Sequence, residues 1–299
     1  MTATAATGTI GRLLPVAACV AATAAFQIGA AIAKGLFPEV GAQGAAAMRL
    51  VLGSAMLLAW LRPWRDWPAK PAWIPLLGLG AASAGAILFF YLAIARLPLG
   101  MAIALQFLGP LAVAVLGSRR PVDVLWAALA GLGVWNLVGA DLAADRLDPL
   151  GLAAALAAAA CWAGYILFGR VAAQAFGRST PALAATIAAV LVLPVGVQHA
   201  GSAMLAPHLL PLAALVALIS VAIPFSLEIF ALPRLPARTF AVLTSTEPAF
   251  GALFGFLVLH ERMAAAQLLG VAAVIVAAAG SAWSSTRRGP AVATDAPPT

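Results

Sequence analysis

Apolar runs follow one another along almost the whole chain, separated by short breaks that hold most of its charged and turn-forming residues. Ten runs, at 13–33, 41–61, 72–95, 98–117, 123–140, 149–169, 180–199, 208–232, 236–259 and 264–283, are long enough or nearly so to cross the membrane as helices. The distance to cover is about 30 Å of hydrocarbon. Lipid offers no partner to a backbone N–H or C=O, so a helix is expected for every run. The break around Arg96 to Pro98 is very short and predicts a tight helical hairpin.

Two of the runs resemble each other. The ninth carries Glu247 and Pro248 side by side near its midpoint, and the fourth carries Gln106 and Pro110 at comparable depth. Pro110 precedes Gly131 by 21 positions and Pro248 precedes Gly270 by 22, so residues 97–140 read as a weaker copy of 235–281. Five runs per copy is an odd number, which inverts the second copy in the membrane. The expected fold is an all-α membrane protein with ten transmembrane helices in two inverted five-helix repeats, residues 13–140 and 149–284. A disordered, Pro-rich cytoplasmic tail is expected over 285–299. In proteins of such design the substrate site lies near the midplane where the copies meet.

Composition sets the class. Only 9% of the 299 residues are charged and 64% are hydrophobic, whereas about a quarter of a soluble domain is charged. The net charge of +7 raises nucleic acid as a partner, but the basic residues form no stripe, and membrane topology accounts for them. With the N-terminus in the cytoplasm, the inner segments hold twelve: Arg12, Arg62, Arg65, Lys70, Arg119, Arg120, Arg170, Arg178, Arg234, Arg238, Arg287 and Arg288. The outer segments hold four: Lys34, Arg96, Arg146 and Arg262. Both termini are therefore expected in the cytoplasm. Trp60, Trp64, Trp67, Trp73, Trp126 and Trp283 fall at the same inner boundary, as an aromatic belt. Cys19 and Cys161 lie inside apolar runs and read as buried thiols rather than a disulfide. The first run shows no convincing cleavage site and reads as a retained helix.

Polar residues inside the runs are the candidates for chemistry, because a charge at a helix centre costs about 2.5–3.5 kcal/mol on insertion scales. Glu247 reads as a ligand for a substrate amine or as a proton carrier, in preference to a neutral structural acid beside Pro248. Arg49 could receive a carboxylate; pairing with an acid such as Glu247 or Glu228 is preferred. Glu228 could reach the inner interface or pair with a basic residue. Gln27, Tyr91, Gln106, Trp162 and Tyr165 complete the candidate substrate-binding set, each with helix bridging or core packing as the alternative. Pro110 and Pro248 are candidate hinges, since proline frees a backbone carbonyl and bends its helix. Gly251 and Gly255 form GxxxG, a close-packing signal. HExxH, P-loop and GxSxG patterns are absent, and His199, His208 and His260 do not have metal-ligand spacing. No enzyme activity, cofactor or metal is expected.

These residues carry a resemblance. The two five-run halves with their prolines, Arg49 in AAMRLVLGSA and the loop residue Glu261 resemble the EamA family of the drug/metabolite transporter superfamily. The stretches IAKGLFPEVGAQGAAAMRLVLG, GPLAVAVLGSRRPVD, CWAGYILFGR, PFSLEIFALPRLPARTFAVLTSTEPA and LHERMAAAQLLG are similar to bacterial amino-acid exporters within it. Such exporters tend to carry an acid where this chain has Gln106. The resemblance implies an inner-membrane secondary transporter that moves amino acids or related small metabolites outward through a midplane cavity by alternating access, without an ATPase subunit. The alternatives are a broad metabolite or drug exporter of the same fold and, from another class, a non-transporting membrane scaffold, against which the buried acids argue.

Overall fold

The computed structural model describes residues 3–65, 67–68, 71–116, 121–143, 147–231, 234–235 and 237–285. The expected tail beyond 285 lies outside them. Thirteen α-helices and no strand occur among the described residues. They are α1 (Ala3–Ala33), α2 (Phe37–Leu61), α3 (Trp73–Ile94), α4 (Leu99–Gln106), α5 (Leu108–Leu116), α6 (Pro121–Ala143), α7 (Pro149–Phe176), α8 (Thr180–Ala200), α9 (Leu210–Ala217), α10 (Ile223–Ala231), α11 (Ala237–Thr244), α12 (Glu247–Leu259) and α13 (Ala265–Ser285). Among the described residues the expected apolar runs fall mainly on helix. Five stretches are apolar and long enough to cross a membrane, and two of these, Leu13–Arg65 and Pro149–Leu205, run 53 and 57 residues and hold two helices each. Shorter apolar helices follow at Leu99–Val113, Val124–Leu137 and Ala265–Ser281.

Proline accounts for three of the breaks; a fourth, inside α2, falls at Gly41, whose φ is 66° and ψ 176°. A prolyl ring has no N–H and crowds the carbonyl four residues back. Helix α4 ends at Gln106, four residues before Pro110, and α11 ends at Thr244, four before Pro248. Each bend thus falls on the N-terminal side of its proline rather than on the proline itself. At the second break the Thr246 N–H and hydroxyl both donate to the Leu243 carbonyl, at 3.2 and 2.6 Å. Pro248 then sits in the first turn of α12, where no donor is needed. The eighth run, expected as one helix, is split by a wide π-turn over Leu218–Ala222. Its cause is Pro224, four residues after Ser220.

Helix α4 forms the centre of the bundle, and all eight of its residues are buried. Helix α3 packs on α7 and α8, α2 on α8, and α1 on α10 and α12. Helices α4 and α12 meet closely at Gly100 and Gly251, so the GxxxG signal is a packing signal here: a Cβ on Gly100 would stand 2.8 Å from the Ala252 Cα. Helices α6 and α13 meet through a reciprocal pair. A Cβ on Gly133 would stand 2.9 Å from the Gly270 carbonyl oxygen, and one on Gly270 would stand 2.6 Å from that of Gly133. Gly131, singled out by the sequence spacing, faces open space instead. Gly270→Val is expected to destabilise the fold by about 2 kcal/mol, since it forces two backbones apart. Gly131→Val is expected to be far milder, and denaturant titration of the two purified variants checks the contrast.

The ion pairs cluster at one end of the bundle. Lys34 Nζ meets Glu261 Oε1 at 2.7 Å, Arg96 meets Asp148 at 3.0 Å, and His208 Nε2 meets Glu39 Oε2 at 2.7 Å. Asp148 also caps α7, accepting from the Leu150 and Gly151 N–H groups at 2.8 and 3.1 Å. The Gly151 bond first, with the Arg96 guanidinium, holds its carboxyl below the usual carboxylate range. At the other end Trp60, Trp64, Trp67, Trp73 and Trp283 are each about half exposed or more. Trp126 instead packs over Gly280. No ion pair joins the elements at that end among the described residues.

Candidate functional site

Glu247 opens α12, directly after the break that Pro248 imposes. That position suits a carboxylate, because the first N–H groups of a helix point toward it. Gln27, 5% exposed on α1, donates from Nε2 to Glu247 Oε2 at 3.3 Å. Glu228 on α10 lies close enough to Glu247 to interact electrostatically, and Cys19 lies within reach of both acids. Tyr165 on α7 is within electrostatic reach of Glu228. The structure therefore brings Gln27, Glu247, Glu228 and Tyr165 into one acidic neighbourhood drawn from α1, α7, α10 and α12. Neither acid is in an ion pair among the described residues. Two neighbouring carboxylates repel unless a proton or a cation stands between them.

Arg49 does not join this group, contrary to the expected pairing with Glu247 or Glu228. Its Nε donates to Ser220 Oγ at 2.7 Å and its Nη2 to the Ser220 carbonyl at 3.0 Å. That carbonyl is the one whose α-helical donor Pro224 removes, and Arg49 satisfies it at the π-turn. Gly29 on α1 makes room for Ser220, since a Cβ there would stand 3.1 Å from the Ser220 backbone. Gln27 and Gly29 face opposite sides of α1, which keeps the guanidinium away from the acids. Glu228 likewise pairs with no basic residue among the described residues.

The other candidates divide. Tyr91 is 1% exposed, packs against Phe37 and Phe90, and carries Arg49 5.7 Å from its ring centre. Among the described residues its hydroxyl has no hydrogen-bond partner, and its surroundings are those of a core aromatic beside Arg49. Gln106 is 9% exposed at the end of α4, and Trp162 stacks edge-on to neighbouring Phe107 at 5.3 Å. Those two mark the break at Pro110 and do not reach the acidic group through any observed bond. A cavity of about 480 Å³ lies elsewhere, at the end of α2, among Trp60, Arg62, Arg65 and Arg178. Sequence reasoning passed over Ser220 and Pro224, although their spacing of four was the signal. It also left Lys34 unassigned; no local pattern marks its pairing with Glu261, 227 positions away.

Comparison with known proteins gives this geometry a context. The chain is 45% identical over 274 residues to the threonine/homoserine exporter RhtA of Salmonella typhimurium (strain LT2), covering 92% of this chain and 93% of that protein. Residues 149–283 match the model of the EamA-like transporter family. The chain belongs to this family. RhtA of Escherichia coli K12 is 46% identical over 268 residues, covering 90% of this chain and 91% of its own. The uncharacterized transporter YwfM of Bacillus subtilis is 32% identical over 243 residues, covering 77% and 80%. A solved crystal structure superposes at a TM-score of 0.58 with 20% identity, covering 91% of this chain and 98% of that one, and shares the fold. This EamA protein is thus a membrane transporter by family and not an enzyme.

Proposed function

We propose that this protein exports amino acids from the cytoplasm across the inner membrane by alternating access between two inverted five-helix halves, residues 13–140 and 149–284. The observation that carries the reading is the acidic neighbourhood of Glu247 and Glu228, which holds Gln27 as a donor and no paired cation among the described residues. An α-ammonium group supplies the missing positive charge, and a proton supplies it when no substrate is bound. Kinship to threonine/homoserine exporters over nine-tenths of the chain supports small amino acids as cargo. Arg49 serves here as a staple between α2 and the π-turn, not as the carboxylate receptor. The breaks before Pro110 and Pro248 act as hinges, and the end that carries the three ion pairs is the outer, closed end.

The test is efflux. Proteoliposomes loaded with labelled threonine and homoserine are expected to release them faster than protein-free vesicles loaded alike, and an equal release rate would refute export of these amino acids. Pro248→Ala restores the donor to Thr244 and rejoins α11 to α12. It is expected to slow efflux severalfold while the folded yield stays the same; unchanged efflux per folded molecule removes the hinge. For topology, Ser202→Cys is expected to react with an impermeant thiol reagent in intact spheroplasts, and Arg234→Cys is not. The reverse pattern would invert the assigned orientation.

A further inference from the structure

The cavity at the end of α2 is not used by the export reading and stands on its own chemistry. It is lined by Ala59, Trp60, Leu61, Arg62, Arg65 and Arg178 and measures about 480 Å³. Two distant segments build it. Helix α2 closes at Arg62 with a left-handed residue, φ 46°, whose N–H returns to the Leu58 carbonyl at 3.0 Å. The turn that follows brings Arg65 round, with its N–H on the Arg62 carbonyl at 3.0 Å. Arg178 comes from the turn between α7 and α8. None of the three guanidiniums is in an ion pair among the described residues. Arg62 Nε donates to the Ala59 carbonyl at 3.3 Å, and all three side chains are exposed. Three like charges gathered round one concavity raise the local potential for an anion.

The walls indicate which anion. Beside the cations stand Ala59, Leu61 and the indole of Trp60, which is 54% exposed. The cavity lies at the end that carries the exposed tryptophans, where indoles seat at the headgroup level of a bilayer. A soluble phosphate would need only the cations. The exposed indole of Trp60 and the Ala59 methyl group beside the cations suit a molecule whose phosphate is joined to acyl chains. Planar guanidiniums match phosphate oxygens in pairs.

We propose that this cavity is a binding site for the phosphate headgroup of an anionic phospholipid, which clamps the end of α2 to the α7–α8 turn. Basic residues at a membrane surface each add about fivefold to the affinity for anionic lipid. The full-length protein is placed in nanodiscs of phosphatidylcholine with phosphatidylglycerol as a minor component, and the lipids that stay with it on mild extraction are counted by native mass spectrometry. Wild type is expected to enrich phosphatidylglycerol at least about fivefold over the bulk ratio. Arg178→Gln is expected to lower that enrichment severalfold, and the triple variant with Arg62→Gln and Arg65→Gln to abolish it. Arg170→Gln, an exposed cation outside the cavity, is expected to leave it unchanged. Equal enrichment in wild type and Arg178→Gln overturns the site, and that single variant decides the question if the triple variant does not fold. Binding of inorganic phosphate to wild type without any enrichment of phosphatidylglycerol also overturns it, by assigning the cavity to a soluble anion.

Discussion

Glu247→Gln is expected to lower amino-acid efflux at least tenfold while folded yield and melting temperature stay near wild type. Glutamine keeps the shape of the side chain and its contact with Gln27 Nε2, because its amide oxygen still accepts. It removes the negative charge and the exchangeable proton. If the carboxylate holds an ammonium group or alternates between proton and substrate, transport loses its attraction for cargo at this step. A tenfold change corresponds to about 1.4 kcal/mol, a modest figure for a charge-assisted contact in a low dielectric. A neutral structural acid gives a different outcome: glutamine is then nearly silent. A destabilised variant would have pointed to a salt bridge with Arg49, but Arg49 is committed to Ser220, so stability is not expected to move. Efflux from proteoliposomes matched for folded protein separates the cases, and wild-type efflux from the glutamine variant removes Glu247 from the site.

The second large effect is one of stability. Helix α4 begins after Pro98, whose side chain offers no capping acceptor. Glu261, 162 positions away in the α12–α13 connection, supplies the cap: its Oε2 accepts from the Leu99 N–H at 2.7 Å. Its other oxygen holds Lys34 at 2.7 Å, with the two side chains 23% and 17% exposed for Lys34 and Glu261. One carboxylate therefore ties the end of α1 and the start of α4 to the connection after α12. Removing it leaves a half-buried ammonium and an uncapped helix at the centre of the bundle. Glu261→Ala is expected to cost about 2–4 kcal/mol, the sum of two charge-assisted bonds. Combining it with Lys34→Met isolates the ion pair, and the double variant is expected to be less impaired than the sum of the single ones. Strict additivity in denaturant titrations would show that the pair contributes nothing. The same contact lies at the assigned outer end, so weakening it is also expected to change the efflux rate.

Much of the candidate site was legible as a set of residues and little of it as a set of contacts. Glu247 stood out because an acid in an apolar run is costly wherever its helix ends up. Its partner Gln27 was a candidate on the same ground, yet nothing local joined two residues 220 positions apart. Arg49 shows the opposite case. Charge alone predicted an acid as its partner, and the actual partner is a carbonyl 171 positions away, freed by Pro224.

The sequence by itself determined the class, the position of the apolar runs on helix, and the places where a proline could break one, though Pro15 and Pro194 stay inside unbroken helices. Those properties follow from composition and from interactions within four residues, because lipid burial demands internal backbone pairing and a prolyl ring acts only on its own turn. Tertiary structure alone decided that Glu228 and Glu247 share a neighbourhood, that Arg49 does not, that Glu261 caps α4, and that Gly133 rather than Gly131 meets Gly270. Each of these depends on how helices turn about their axes against one another. That rotation is set by packing summed over the whole bundle, which no local pattern of residues records.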